Sequence, residues 1–123
     1  MAYRIYVSDD RKYIVLEVTG EITRQQHFAH VLEAHEQGRQ LGIRRFLVDA
    51  IHARNVDSVT ENFQFAYEDM RTTPEIDHGA KVAAVAAPGD HSHDFIEVVL
   101  SNSGNSAKFF RDRNEAIRFL TTD

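Results

Sequence analysis

The sequence predicts one α/β domain built on a mixed, mostly parallel β-sheet with four helices. Short apolar segments alternate with segments of helical period, which indicates strands joined by helical crossovers. The first two strand-like segments are separated only by a short turn, which indicates an antiparallel hairpin. A chain of 123 residues suits a single domain. The predicted order is β-β-α-β-α-β-α-β-α, with an antiparallel first edge strand.

The opening hairpin is predicted from its alternation and its turn. Residues 3–7 alternate apolar and polar side chains, and residues 8–11 are typical turn residues. Residues 13–18 form the second predicted strand, which we expect to end at Thr19 and Gly20.

The first helix and the third strand follow this hairpin. Thr23 and Gln26 have the spacing of a capping box, and Gly42 is the predicted stop. Residues 43–51 then form a strand whose centre, residues 46–48 (FLV), is apolar enough to be buried on both faces.

The second helix is predicted to begin at Ser58, with Glu61 as capping-box partner, and to end before Pro74. Its buried stripe is predicted to contain Val59, Phe63, Ala66, Tyr67 and Met70. Phe65 lies about 120° from that stripe at helical spacing. We therefore expect Phe65 at the surface, where it covers a neighbouring element or faces a partner.

The second half of the chain repeats the strand–helix pattern. Residues 80–87 form a small apolar run typical of a buried parallel strand. A third helix is predicted from a cap at Asp90 or Ser92 to Gly104, and a last strand over residues 106–110. Asp112 and Glu115 form a third capping box, which opens the last helix.

Composition and charge exclude several classes of protein. The net charge of −5 argues against nucleic acid as a partner, and the absence of cysteine excludes disulfides and thiolate chemistry. No apolar run approaches the ~20 residues of a transmembrane helix. Because the sequence also begins in a strand pattern with no leader, we expect a cytoplasmic protein.

Two segments carry a resemblance to a known family. Together with the element order, residues 80–85 (AKVAAV) and 108–120 (KFFRDRNEAIRFL) resemble the SpoIIAA-like group of STAS domains. That group includes bacterial anti-sigma-factor antagonists and small uncharacterised proteins. The resemblance implies one STAS-like domain over residues 1–123, with a regulatory or protein-binding role and no cofactor. The same fold is likened to the lipid-binding CRAL-TRIO domain, which implies a small apolar ligand as the alternative.

The resemblance also implies a phosphorylation site. In the antagonists, a partner kinase phosphorylates a serine that follows an aspartate at the start of the helix after the third strand. Asp57 and Ser58 stand at that place, although residues 59–61 (VTE) replace the small residue and glycine that follow in the family. The sequence alone offers a second interpretation, in which Ser58 is only the helix cap that pairs with Glu61.

A metal site is a further hypothesis. Asp49 and His52 follow one predicted strand, and Asp90, His91 and His93 follow the next. Because the carboxyl ends of neighbouring parallel strands meet at one sheet edge, these groups would converge there. Imidazole and carboxylate suit a divalent ion, with Asp49, His52, His91 and His93 as candidate ligands and metal-assisted hydrolysis as the chemistry.

Three function hypotheses therefore remain open. The leading one is a non-enzymatic interaction module, since nucleophile-elbow and nucleotide-loop motifs are absent from the sequence. Its predicted binding surface contains Asp49, His52, Asp57, Ser58, Phe65, Asp90, His91 and His93. In the second, an apolar ligand lies between a helix and the sheet, lined by Phe63, Tyr67, Phe95 and Val99. The third is the metal site. The exposed first-strand edge and Phe65 favour a homodimer.

Overall fold

Five strands form a single mixed sheet in the computed structural model, which describes residues 2–102 and 107–122. The strand order along the sheet is the order along the chain. β1 is antiparallel to β2, and the other neighbouring pairs are parallel, as predicted. The strands are β1 (Ala2–Val7), β2 (Ile14–Ile22), β3 (Arg45–Asn55), β4 (Lys81–Ala86) and β5 (Ala107–Phe110).

Helices cover both faces of this sheet. They are α1 (Arg24–Leu41), α2 (Val59–Gln64) with a π-helical segment (Phe65–Met70) directly after it, α3 (Asp94–Asn102) and α4 (Arg113–Thr121). The element order is the predicted one, while the predicted limits at Gly104 and Ser106 lie outside the described residues. Within those residues, no helix is long and apolar enough to cross a membrane.

Alternate residues of β3 build the two halves of the core. Leu47 packs with Leu120 of α4 on one face, and both side chains are fully buried. Phe46 faces the opposite side and packs with Ala34 of α1. The first face is covered by α4 and the second by α1, the π-helical segment and α3. We call them the α4 face and the three-helix face.

β2 and β3 are both longer than predicted. β2 continues through Gly20, whose φ of 86° suits glycine, and the prediction that the strand ends there is wrong. β3 begins at Arg45 and ends at Asn55 instead of at Ile51. The two extensions pair with each other, with Ile22 opposite Asn55. The backbone hydrogen bonds between the two extensions therefore outweigh the polar character of many of the side chains in them.

β3 contains one extra residue relative to β2. Glu17 pairs with Asp49, but Thr19 pairs with His52, so three steps along β3 match two along β2. Such a bulge changes the face to which the following side chains point. Ala50 and Ala53 consequently both pack on the three-helix face.

Three predicted helix starts have different outcomes. Ser58 Oγ accepts the N–H of Glu61 at 3.1 Å, and Asp112 Oδ1 accepts the N–H of Asn114 at 2.8 Å, so both caps are confirmed. Thr23 is the N-cap residue of α1, as predicted, but its hydroxyl donates to Gln26 Oε1 at 3.2 Å and makes no capping hydrogen bond to the backbone. Asp57 Oδ1 instead accepts the N–H of Arg24 at 3.1 Å. A residue from the segment between β3 and α2 thus caps α1.

The buried stripe of the second helix differs from the predicted one. Phe65 is only 7% exposed, so its predicted surface position is wrong, whereas Val59 and Phe63 are 66% and 51% exposed. The buried stripe instead starts with Asn62, which is 6% exposed. Its amide donates to Ser58 O at 3.1 Å and accepts from Asn55 Nδ2 at 2.8 Å. A polar residue that satisfies its own hydrogen bonds therefore occupies the place expected for an apolar one.

Candidate functional site

Two loops meet at the carboxyl edge of the sheet and form the candidate site. The N–H of Asn55, the last residue of β3, donates to Ser92 Oγ in the β4–α3 loop at 3.0 Å. Asn55 Oδ1 also accepts the N–H of Asp57 at 3.0 Å. The segment that leads into α2 and the segment that leads into α3 are therefore held next to each other.

Ser58 lies at the surface of this junction. Its hydroxyl is 3.4 Å from Glu61 Oε1, and the residue is exposed. The neighbouring Asp57 is partly buried, and burial raises the pKa of its carboxyl above the usual value. Ser58 thus presents a hydroxyl to solvent at a helix N-terminus, where the backbone favours added negative charge. This arrangement suits a phosphoacceptor as well as a cap.

Arg24 connects α1 to the π-helical segment. Its guanidinium donates to both carboxylate oxygens of Asp69 at 2.7 and 2.9 Å, and to Gln64 Oε1 at 2.6 Å. Hydrogen bonding by Asp69 raises the pKa of Arg24. Because Asp57 caps the backbone of the same residue, Arg24 ties the junction, α1 and the π-helical segment together.

The metal candidates Asp49 and His52 lie on the α4 face. Asp49 Oδ2 accepts from Arg113 Nε at 3.1 Å, and Asp49 Oδ1 accepts the N–H of Ile51 in the bulge at 3.2 Å. His52 is exposed and, because Ala53 points to the three-helix face, strand alternation directs His52 to the α4 face. Asp49 therefore stabilises the bulge and holds Arg113.

The other candidates lie elsewhere. His93 is buried on the three-helix face, with Nε2 at 3.2 Å from Ala53 O and 3.4 Å from Asp90 Oδ2. His91 is largely exposed and pairs with Asp94 at 2.9 Å. The predicted convergence is therefore wrong, because the sheet separates Asp49 and His52 from His93. Among the residues that the structure describes, no three His, Asp or Glu side chains are grouped to hold a metal ion.

Exposed apolar side chains concentrate around α2 and α3. Five of the seven exposed large hydrophobic residues in the described part of the chain lie there: Val56, Val59, Phe63, Phe95 and Val98. We call these five residues the apolar surface. The rings of Phe63 and Tyr67 stack with their centroids 4.5 Å apart. Ser58 lies in sequence between the first two members of the apolar surface.

A cavity of about 120 Å³ lies between the three-helix face of the sheet and the helices that cover it. Phe63, Tyr67, Phe95 and Val99, which were expected to line an apolar ligand, do not contribute to its wall. The wall is mainly aliphatic and aromatic, with four histidines: His27, His35, His78 and His93. Sequence reasoning missed the role of His27 and His35, and the available signal was their place beside apolar residues of α1.

These α1 histidines are neutral at physiological pH. Burial lowers the pKa of His27 to about 4, and the nearby His30 and His93 add to the effect. Burial likewise lowers the pKa of His35 to about 4. His35 Nδ1 accepts the N–H of Asp77 at 3.0 Å, and its ring stacks on Phe46 with centroids 4.5 Å apart. His35 is therefore a structural histidine with a defined partner.

Comparison with known proteins identifies the fold. No protein-family model matches the sequence, and no curated protein sequence matches it. Among solved structures, the chain is similar to the anti-sigma factor antagonist SpoIIAA in its unphosphorylated form, with a TM-score of 0.55 and 18% identity over 94% of this chain and 93% of that one. It is also similar to an uncharacterized protein of the DUF3478 family with a SpoIIAA-like fold from Shewanella loihica PV-4, with a TM-score of 0.51 and 20% identity over 97% and 92%. The predicted SpoIIAA-like fold is thus confirmed.

Proposed function

We propose that this chain, with its SpoIIAA-like fold, is a non-enzymatic module that binds a regulatory protein through the apolar surface. The supporting observation is the concentration of exposed hydrophobic side chains on α2, α3 and the segment before α2. Exposed apolar side chains gathered in one region mark interaction sites. The other two exposed large hydrophobic residues in the described chain, Tyr3 and Leu41, belong to β1 and to the end of α1.

The polar groups of the junction support binding over catalysis. Asn55, Asp57 and Asn62 are engaged in hydrogen bonds that hold the backbone of the two loops. A catalytic acid or base needs a lone pair or proton that is directed at a substrate. The junction thus provides a rigid frame under the apolar surface.

Ser58 is the proposed control point of this surface. A phosphate there would add about two negative charges next to Val56 and Val59. The free N–H groups of α2 favour that charge, whereas Asp57 and Glu61 oppose it. The solved relative SpoIIAA is an anti-sigma factor antagonist described in its unphosphorylated form. By analogy, phosphorylation of Ser58 would weaken binding to an apolar partner, because the phosphate must be desolvated at the contact.

Replacement of one exposed aromatic residue tests the proposed surface. The partner is first identified by crosslinking mass spectrometry, with photoreactive groups placed at Val98 and Leu41, and is then purified. Its affinity for the Phe63→Ser variant should fall at least about tenfold, as for a buried aromatic anchor. Leu41→Ser is the matched control and should bind like the wild type. Equal affinities for the wild type and Phe63→Ser would show that the partner does not bind at the apolar surface.

The role of Ser58 is tested with the same purified partner. Ser58→Asp should weaken binding, and Ser58→Ala should bind like the unmodified protein. Intact-mass analysis of chain purified from its native host measures phosphate directly, and peptide mapping assigns it. Absence of phosphate, together with unchanged affinity for Ser58→Asp, would reduce Ser58 to a helix cap.

Self-association is the second proposed use of the surface. The outer edge of β1 and the apolar surface are each available for a homodimer contact. Sedimentation velocity of the wild type should detect a dimer that Val98→Ser weakens if α3 forms the contact. If the protein sediments as a monomer at every concentration, the apolar surface is left to bind other proteins only.

A further inference from the structure

We propose that a basic cleft at the edge where the parallel strands begin binds a small molecule that carries a diphosphate or two phosphate groups. The cleft has a volume of about 500 Å³, which is typical of a small-molecule site. It lies at the opposite end of the strands from Ser58 and the apolar surface, so this site goes beyond the protein recognition proposed above. Of the nine described residues that line it, five are basic and none is acidic: Arg11, Lys12, Arg44, Arg45 and Lys81, with Gly42, Ile43, Gly79 and Thr122.

The sheet itself brings two of these basic residues together. Arg45 and Lys81 are the first residues of β3 and β4, and they lie directly opposite each other in the register of the two strands. The N–H of Lys81 donates to Arg44 O at 2.9 Å, which fixes the two strand starts side by side. Like charges in such positions repel each other and cost stability. A bound anion would offset this repulsion.

The end of α4 holds both side chains in place. Arg45 Nη1 donates to Leu120 O at 2.6 Å, and Lys81 Nζ donates to Thr122 O. Cations are favoured at this end of a helix by the direction of its dipole. A carbonyl oxygen carries no net charge, however, so this contact positions the ammonium group of Lys81 without neutralising it.

The turn between β1 and β2 contributes two more cations. The N–H of Arg11 donates to Ser8 O at 2.9 Å, and the N–H of Lys12 donates to Ser8 Oγ at 3.1 Å, so the backbone of the turn is well defined. Both side chains are exposed, and neither makes a side-chain hydrogen bond or an ion pair within the part of the chain that the structure describes. Their charges are therefore available to a ligand.

The acidic residues nearest to the cleft are already engaged. Both carboxylate oxygens of Asp77 accept from the guanidinium of Arg44 at 2.7 Å, so Arg44 forms part of the wall and adds little charge. Asp10 Oδ1 accepts from Ser8 Oγ at 2.6 Å and from the N–H of Lys12 at 3.1 Å, which holds this carboxylate inside the turn. Three cations, on Arg11, Lys12 and Lys81, thus have no carboxylate bonded to them among the described residues.

The number of these charges defines the class of ligand. One phosphate monoester carries about two negative charges, so three cations match a diphosphate or two phosphate groups better than a single phosphate or carboxylate. The lysines act as point charges, while the guanidinium of Arg11 has the fork of donors that suits two phosphate oxygens. Gly42 and Gly79 add no side chain to the wall, which lets a phosphate group approach the backbone there.

Titration of ¹⁵N-labelled protein with inorganic pyrophosphate, followed by two-dimensional NMR, tests the inference. The amide resonances of Gly42, Gly79 and Lys81 should shift saturably, and those of the apolar surface should not. Sulfate is the comparison anion, and it should bind about fivefold more weakly than pyrophosphate because it forms fewer ion pairs. This readout requires no substitution.

Substitutions of exposed arginines locate the site. Arg11→Gln should weaken pyrophosphate binding about fivefold, and the double variant Arg11→Gln with Lys12→Gln about tenfold or more, as expected for the loss of exposed ion pairs. Arg54→Gln is the matched control. It removes the same group from an exposed position at the other end of β3, and it should bind pyrophosphate like the wild type.

A phosphate group could also belong to a membrane surface. Cosedimentation with vesicles of equal parts phosphatidylcholine and phosphatidylserine distinguishes the two sources, and we expect the protein to stay in the supernatant. Four results would overturn the inference. They are the absence of saturable shifts with pyrophosphate at millimolar concentration, equal affinity for pyrophosphate and sulfate, equal losses in Arg11→Gln and Arg54→Gln, and cosedimentation with these vesicles.

Discussion

The two faces of the sheet are covered in different ways. On the α4 face, one helix of nine residues packs against Leu47 and Val85, and the buried carboxylate of Asp49 is paired with Arg113. On the three-helix face, several elements meet above the same strands and leave a cavity. A single helix can follow the surface of a sheet closely, whereas the junctions between several elements leave space above it. The first face is therefore closely packed, and the second retains internal space.

The largest expected effect is a core truncation on the closely packed face. Leu120→Ala removes a fully buried side chain of α4 and should lower the free energy of unfolding by about 3–4 kcal/mol. Ala50→Val adds volume beside the cavity, where space is available. It should therefore change the free energy of unfolding by less than about 1 kcal/mol. Urea unfolding measures both free-energy changes, provided that the dependence of the unfolding free energy on urea concentration is the same in the wild type and the two variants. A large loss in Ala50→Val would contradict the difference in packing between the two faces.

Acid should act mainly through the three-helix face. His27 and His35 have a pKa of about 4 when folded, against 6.5 for an ordinary histidine. Between pH 6.5 and about 4 the unfolded chain binds more protons, so stability is retained above this window and falls as pH is lowered through it. The loss should approach about 1.4 kcal/mol per pH unit for each fully buried histidine, and less for one that is partly solvated.

Urea unfolding from pH 7 to pH 4.5 measures this slope, which His27→Phe should reduce. Leu120→Ala should lower stability equally at each pH, since it removes no titratable group. An unchanged slope in His27→Phe would show that the pKa of this ring is the same in the folded and the unfolded protein.

The arginines of the two faces provide a smaller contrast. Arg24→Ala and Arg113→Ala should each lower the free energy of unfolding by about 1–2 kcal/mol, because each removes the arginine of a partly buried ion pair with an aspartate. Only Arg24→Ala should speed amide hydrogen exchange in the π-helical segment, where Asp69 loses its partner. Equal exchange of that segment in the two variants would mean that Arg24 does not hold it in place.

The smallest effects are expected at the helix starts. Ser58→Ala at the start of α2 and Asp112→Ala at the start of α4 should each lower stability by about 1 kcal/mol. Thr23→Ala should cost less than about 0.5 kcal/mol, because Asp57 caps α1 in its place. Thermal unfolding of the three variants checks the order, and a loss for Thr23→Ala as large as for Ser58→Ala would contradict it.

The order of elements could be predicted from the sequence because it depends on local periodicity. The apolar run of β4 and the caps at Ser58 and Asp112 are local signals of this kind. The extension of β3 to Asn55 could not be predicted, since it depends on pairing with β2, which lies more than thirty residues earlier.

The site was predictable only in part. The binding surface predicted from the sequence contained both Ser58 and residues 90–93, and the Asn55–Ser92 hydrogen bond joins the segments that carry them. Burial of Asn62 and Phe65 was missed because hydrophobicity alone was taken to mark the stripe, while Asn62 is buried through hydrogen bonds. A site between a helix and the sheet was predicted, but the residues that line the cavity were not, because the cavity is the space left between elements and no residue pattern encodes its wall.

The extra residue in β3 has a consequence for how such a chain can change over evolutionary time. Before the bulge, odd-numbered residues such as Leu47 and Asp49 face α4, and after it the even-numbered His52 and Arg54 do. Deletion of one residue between Asp49 and His52 would restore uniform alternation. Each side chain in the last part of the strand would then point to the face opposite to its present one. Single-residue insertions and deletions at this point are therefore expected to be selected against more strongly than those in the exposed turns of the same chain. The hydrogen bond from the bulge N–H to the carboxylate of Asp49 adds a side-chain contact that such a deletion would break.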